Sequence, residues 1–223
     1  MTFPVYESVG RYYAASGNAH PIVMPSGVVA GDLLIAIVGN DFTTITMMAE
    51  LGWRLDIAGS SNGVQDSIRV FSKLASGSEG ADEDCRVVLT EALGAHVYRI
   101  SGGAEKIECS KLEATTAFLT VTMPSLTPSW GADDVLWIEA VVAMGMTGIT
   151  SMSSGYSAGI YDGAAPAAGV ALISAHRTEN TATESPGTIV TTGGSNAAYV
   201  AVLIAVRTPP ASGGGSVIVI EEE

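Results

Sequence analysis

Charged residues are scarce in this sequence, and basic residues are scarcer still. Asp, Glu, Lys and Arg make up 15% of the 223 residues, against about 25% in ordinary soluble domains. Ten Lys and Arg stand against 23 Asp and Glu, which gives a formal net charge of −13. Binding to nucleic acid or to an anionic membrane surface requires a dense basic patch on the protein. We therefore expect neither nucleic acid nor a membrane as a partner.

Cysteine and histidine, which are common metal ligands, are also rare. The two cysteines, Cys85 and Cys109, are too few for a disulfide framework, so we expect two free thiols, with one disulfide as the alternative. The three histidines are scattered, and the sequence predicts no metal site and no cofactor. Long apolar runs are missing too, since none approaches the roughly 20 residues that span a bilayer. The N-terminus lacks the basic start and apolar core of a secretory signal.

Glycine and apolar residues, by contrast, are abundant. There are 26 glycines, and 47% of the residues are hydrophobic. Apolar and β-branched runs bounded by glycine-rich turns are typical of short strands in an all-β sandwich or barrel. The segments with this pattern are 5–14, 33–38, 67–75, 85–89, 95–100, 117–122, 135–143, 169–175, 188–192 and 197–206. Two further stretches, 43–51 and 91–95, are compatible with short helices.

The chain looks internally duplicated, with an offset near 100 residues. Met24-Pro25-Ser26 returns as Met123-Pro124-Ser125, and Gly52-Trp53 returns as Gly155-Tyr156. Other matching segments are 31–32 with 133–134, 68–75 with 170–177, and 95–100 with 201–206. Chance similarity between glycine-rich strands is the alternative explanation.

The fold class predicted from these patterns is all-β. We interpret residues 1–208 as one domain, a jelly-roll-like antiparallel β-sandwich built from two related halves, roughly 1–103 and 104–208. One domain is favoured because each half alone would leave long exposed sheet edges. Two separate small sandwiches are the alternative.

Residues 209–223 form a C-terminal extension of different composition. Proline at 209 and 210 ends the last strand, because proline cannot donate to a ladder, and residues 211–216 (ASGGGS) are typical of a flexible linker. A β-branched run with strong strand preference follows and consists of Val217, Ile218, Val219 and Ile220. We predict that this run binds a partner by adding a strand to the sheet edge of a neighbouring subunit. The alternative is that it closes an edge of its own sheet.

The sequence contains only weak matches to catalytic and metal-binding motifs. The pattern G-x-S-x-G occurs at 59–63 and 155–159, but neither copy is followed by the helical pattern that a hydrolase elbow requires. We therefore expect no catalytic residues. A group of acidic residues lacks the spacing of a calcium loop and is interpreted as a solvated turn; it consists of Glu79, Asp82, Glu83 and Asp84.

The aromatic residues suggest little exposed binding surface. Trp137 lies in an apolar strand and is predicted to be core, whereas Trp53 and Trp130 flank turns and are expected to be partly exposed. A sugar-binding face would expose several aromatic rings. The candidates for such a stacking surface are Tyr12, Tyr13, Tyr156 and Tyr161.

Four segments of the first half occur in an order that matches a known family. They are MPSGVVAGDLLIAIV (24–38), GWRLDIAG (52–59), SIRVFSKLASGSE (67–79) and AHVYRISG (95–102). This order resembles that of a broad family of tailed-bacteriophage virion proteins, whose members show a P-x-G-x-x-x-G-D-L-L strand, a G-W turn, a K-x-A-x-x-x-E strand end and a Y-R-x-x-G strand. The resemblance covers roughly residues 24–103 and continues more weakly to about 207. The acidic insert at 80–84 and the C-terminal extension depart from the family pattern.

The resemblance implies a structural protein of the virion and not an enzyme. We expect a capsid decoration (cement) protein that is assembled in the host cytoplasm, binds the outer surface of the head and bridges capsomers. Its expected partners are the major capsid protein or other virion proteins, and copies of itself in a homo-oligomer, with a trimer favoured. The alternative is a tail or fibre module that recognises host glycans. A hydrolase of envelope polysaccharide is the third hypothesis.

Overall fold

The protein folds into antiparallel β-sheets joined by turns. The computed structural model describes residues 3–41, 45–46, 52–61, 66–87, 91–103, 107–115, 119–163, 169–193 and 198–209. Within these ranges there is no α-helix, and therefore no helix that could cross a membrane. The all-β prediction is confirmed.

The strands are numbered in chain order within the described ranges. They are β1 (Val5–Ala14), β2 (Ala19–Val23), β3 (Leu33–Asn40), β4 (Ile45–Thr46), β5 (Arg54–Ser61), β6 (Asp66–Leu74), β7 (Asp82–Val87), β8 (Leu93–Ser101), β9 (Glu108–Ala114), β10 (Thr120–Thr122), β11 (Asp133–Met144), β12 (Met146–Ser151), β13 (Ile160–Gly163), β14 (Val170–Thr181), β15 (Thr188–Gly193) and β16 (Tyr199–Arg207).

Four sheets stack in layers. Inner sheet 1 has the order β1-β8-β3-β6-β5, and inner sheet 2 has the order β13-β14-β11-β16-β9. Outer sheet 1 (β2-β7-β4) packs on the far face of inner sheet 1, and outer sheet 2 (β10-β15-β12) packs on the far face of inner sheet 2. The two inner sheets face each other across a shared apolar core.

Successive side chains of the central strands point to opposite faces of the sheet, and this alternation explains the layering. Leu33, Ile35 and Ile37 of β3 point into the core between the inner sheets, whereas Leu34 and Ala36 point into the core beneath outer sheet 1. Strand β11 alternates in the same way. Strands buried on both faces appear as continuous apolar runs instead of an apolar–polar alternation. This is why segments 33–38 and 135–143 stand out in the sequence.

The two halves of the chain share one strand order. Adding eight to each strand number converts inner sheet 1 into inner sheet 2 and outer sheet 1 into outer sheet 2. Leu33 and Leu136 are the first residues of β3 and β11 in the shared core, and their partners on β8 and β16, Ile100 and Val206, lie in the same core. The structurally equivalent residues are therefore 103 positions apart in β3 and β11. Matching Asp32 with Asp134, as the sequence suggests, is one residue out of register.

Several local predictions need correction. Segment 91–95 is not helical, because β8 begins at Leu93, and residues 45–46 of the other helical candidate form β4. The acidic group is only partly a turn, because residues 82–84 belong to β7 and pair with β2. Trp53 is buried, with 3% of its surface exposed, whereas Trp137 is in the core as predicted. Residues Val217 to Ile220 lie outside the described residues.

Candidate functional site

The segments that carry the family resemblance come together at one end of the first half. Asp32, at the start of β3, accepts a hydrogen bond from the Val29 amide (2.9 Å) and forms an ion pair with Arg99 Nε on β8 (2.6 Å). The main chain of the same turn bonds to Ala75 at the end of β6 in both directions, at 2.8 and 2.9 Å. The G-D motif and the Y-R motif therefore hold each other in place.

The remaining two motifs meet beside this pair. Trp53 follows Gly52, whose φ of 80° suits glycine, and the indole N–H donates to Glu83. Lys73 of β6 lies over the indole ring, 4.8 Å from its centroid, and also bonds to Glu83. The Glu79 carboxylate accepts hydrogen bonds from the main-chain amides of residues 76 and 77. These contacts leave Glu79 and Glu83 occupied by the protein itself.

The second half repeats this arrangement with different residues. Tyr156 follows Gly155, which has a φ of 82°, and Arg177 of β14 lies 5.2 Å from the tyrosine ring centroid. Arg177 is equivalent to Lys73, since each is paired with the equivalent residue of the central strand. Glu184 accepts from both Tyr156 and Arg177. Each half therefore has an aromatic–cation–carboxylate trio that fixes the turn before an edge strand.

A Ser–His–Asp string crosses the boundary between the inner sheets. The hydroxyl of Ser174 lies 2.7 Å from Nδ1 of His96, and Nε2 of His96 lies 2.9 Å from Oδ2 of Asp162. Arg11 of β1 holds the same carboxylate through two bonds of 2.8 Å. Tyr98 completes the string at 2.7 Å from the Ser174 hydroxyl.

The protonation of this string follows from its surroundings. Burial opposes ionisation of Asp162, but hydrogen bonds from His96 and Arg11 outweigh burial and lower its pKa to about 2. Burial lowers the pKa of His96, so its ring is neutral. Nε2–H therefore donates to Asp162, Nδ1 accepts from Ser174, and Tyr98 donates to Ser174.

This string has the order of a hydrolase triad but serves the fold. Ser174 and His96 have no exposed surface, and Tyr98 is equally buried. A nucleophile must be reachable by its substrate and by donors that stabilise the developing oxyanion. The string instead joins β8 to β13 and β14, and so joins the two halves.

A second serine–histidine pair lies beside an open cleft of about 520 Å³. Ser157, the serine of the second G-x-S-x-G pattern, is 3.3 Å from Nδ1 of His176 and accepts the His176 amide at 3.2 Å. The His176 ring stacks on Tyr6 with centroids 4.1 Å apart. The cleft is lined by Phe3, Pro4, Val5, Tyr6, Leu136, Gly155, Tyr156, Ser157, His176, Arg177 and Thr178.

The other predicted sites are separate from this cleft. Cys85 is buried and Cys109 partly buried, and both are free thiols as expected. In the first G-x-S-x-G pattern, Ser60 and Ser61 lie in β5, and the end of the pattern lies outside the described residues. The four candidate tyrosines, Tyr12, Tyr13, Tyr156 and Tyr161, are all partly buried. No cluster of metal-ligating side chains occurs in the described part of the chain.

Comparison with known proteins gives no assignment. No family model, curated protein or solved structure matches the chain.

Proposed function

We propose that this protein is a structural component of a tailed-bacteriophage virion, a capsid decoration protein that binds the outer surface of the head and bridges capsomers. The observation that carries the proposal is the contact of all the family-like motifs at one end of the first half. Asp32 with Arg99, and Trp53 with Lys73, are paired within the fold. Because the motif residues bond to one another, the resemblance reflects a shared fold and not a shared active site. A shared fold is what we expect among structural proteins of virions.

The polar groups also support a building role. The most triad-like residues, Ser174 and His96, are buried between the halves and hold them together. The strand order repeated in the two parts of the chain supports the prediction of a sandwich built from two related halves, and each half has eight strands in two sheets, which is the size of a jelly roll. We propose that such a block binds virion partners non-covalently, through strand edges and the segment 217–220, as a trimer.

The experiment that tests this proposal is to locate the chain on purified virions of the phage that encodes it. Antibodies against the recombinant protein, coupled to gold, should label the head exterior in many regularly spaced positions under the electron microscope. Mass spectrometry of the same particles should find the protein in high copy number. Label confined to the tail, or absence of the protein from purified particles, would contradict the decoration role.

A further inference from the structure

The cleft beside Ser157 lies at one corner of the molecule, the turn before the edge strand β13, and the equivalent corner of the first half is the turn before β5. Ser157 follows Tyr156 and binds His176, just as Arg54 follows Trp53 and binds Ser72 at 2.9 Å. Ser72 and His176 are equivalent, since they pair with Ile35 and Ile138, the equivalent residues of the central strands. The first half thus has a long arginine where the second half has a short serine. The second half has the open cleft at this point.

The walls of the cleft combine apolar surface with uncharged hydrogen-bonding groups. Phe3 and Val5 provide apolar surface, and Val5 is 51% exposed, while Leu136 lies beneath them in the core. Ser157 and Thr178 provide hydroxyl groups, and the imidazole of His176 can both donate and accept. Burial lowers the pKa of His176, so this ring is neutral near pH 7.

The electrostatics of the cleft do not suit an ionic ligand. Its only cationic lining residue in the described structure, Arg177, is already paired with Glu179 and Glu184. No carboxylate is among the described lining residues, so a cation has no counter-ion there. The net charge of −13 repels anions in general.

From this geometry we propose that the cleft binds a neutral sugar residue. A sugar ring presents C–H groups to an apolar wall and hydroxyl groups to hydroxyl and imidazole side chains, which matches the two kinds of lining. The volume of about 520 Å³ lies within the range of small-molecule sites, which runs from about 300 to 1,000 Å³. The site is independent of the virion role, because it depends only on the residues of this corner.

The test is saturation-transfer NMR on the full chain with glucose, galactose, mannose and N-acetylglucosamine. We expect at least one of them to bind. Ser157→Arg, which installs the residue of the first half, should weaken binding at least about tenfold, as should Val5→Arg at the exposed rim. Val29→Arg is the matched control, because Val29 is equally exposed (54%) and is not among the residues lining the cleft. Its binding should stay within about twofold of the wild type.

Several outcomes would overturn the proposal. Absence of binding by every neutral sugar at about 50 mM excludes the site as a sugar site, because weak recognition by small ligands is still detectable at that concentration. Binding that survives both Ser157→Arg and Val5→Arg places the sugar elsewhere. Glucuronate binding more tightly than the neutral sugars would refute the neutral class. Circular dichroism of each variant shows whether it is folded, and Val5→Arg keeps the test decisive if Ser157→Arg does not fold.

Discussion

Single buried side chains govern how this protein responds to pH. Glu139 of β11 has no exposed surface, and its Oε1 accepts the Ser153 amide at 3.3 Å while Oε2 has no hydrogen-bond partner. Burial raises its pKa to about 7. An acid whose pKa is raised by folding binds more protons in the folded state, so its contribution to stability falls as pH rises from about 4.5 to about 7.

Replacing this carboxyl by an amide should therefore stabilise the protein at high pH. Glu139→Gln should gain up to about 3 kcal/mol over the wild type at pH 8, and little at pH 4.5. Urea unfolding at both pH values measures the difference. Glu113→Gln is the control, because the hydrogen bond to Lys111 lowers the pKa of Glu113, so this substitution should not stabilise the protein at pH 8. A Glu139→Gln benefit that is independent of pH would show that Glu139 is ionised in the fold.

The Ser157 hydroxyl should not behave as a catalytic nucleophile. It accepts a main-chain N–H, and within the described residues no carboxylate orients the His176 ring. An activated serine needs a base that a third group holds in the correct tautomer. We expect no adduct in the intact mass after incubation with a fluorophosphonate probe. Labelling that Ser157→Ala abolishes would contradict this expectation.

Sequence reasoning finds residues of this kind only when they are close along the chain. Trp137 could be assigned to the core because its neighbours in the chain are apolar. The contacts of His96 could not be predicted, because Ser174 and Asp162 are 78 and 66 residues away. The turn beside Trp53 predicts exposure for the same reason, and this prediction is wrong because Lys73 and Glu83, 20 and 30 residues away, cover the ring.

At the level of strands, all central strands of the inner sheets were predictable, whereas most edge strands, β1 and β10 excepted, were not. The pattern places β1 correctly from Val5 to Ala14 and finds the apolar strands β3 and β11. It misses six strands that lie at the edges of their sheets, namely β2, β4, β5, β9, β12 and β13. Edge strands carry proline or charged residues that discourage pairing with other chains, and this weakens their apolar alternation. Strand β2 contains Pro21, and β5 begins with Arg54.

One strand crossing depends on the absence of a side chain. A Cβ atom on Gly10 of β1 would collide with the carbonyl oxygen of Val23 at the end of β2. Gly10→Ala should therefore cost about 3 kcal/mol or more in urea unfolding, since backbone on both sides cannot move aside. Gly80→Ala is the control, because the nearest atom there is at 3.4 Å, and it should cost less than about 0.5 kcal/mol. Equal costs for the two variants would refute the packing argument.

For the molecule as a whole, equivalent basic side chains join the two halves at both corners, where β1 lies beside β13 and β9 lies beside β5. Arg11 of β1 donates to the carbonyl of Tyr161 on β13, and Lys111 of β9 donates to the carbonyl of Ala58 on β5, each at 2.9 Å. Their strand pairing shows that Arg11 and Lys111 are equivalent residues of the two halves. With the shared core between the inner sheets, these contacts make each half part of the environment of the other.

We therefore expect the halves to unfold together. In pulse-labelling hydrogen exchange across a urea series, peptides from β3 and from β11 should lose protection at the same urea concentration. The shared core loses its apolar burial whichever inner sheet opens first, which couples the two transitions. Two separated midpoints would instead show that each half of the chain is an independent folding unit.

The C-terminal extension should serve association and not folding. The edges of the inner sheets that meet at the corners are covered by side chains of the other half, since Lys111 and Glu113 bond to the main chain of β5 and Arg11 bonds to that of β13. The described strands thus do not need a further strand at these edges. Deleting residues 212–223 should leave the far-ultraviolet circular dichroism unchanged and convert the proposed trimer to monomers by light scattering.

Two variants separate the apolar run from the charges that follow it. Serine at all four positions 217–220 keeps the length of the chain but removes the β-branched surface that a partner edge would bind, and it should act like the deletion. Deleting only residues 221–223 removes three glutamates and should leave association intact. If the long deletion unfolds or aggregates the protein, the run is instead a strand of its own sheet, and the bridging role proposed for it is wrong.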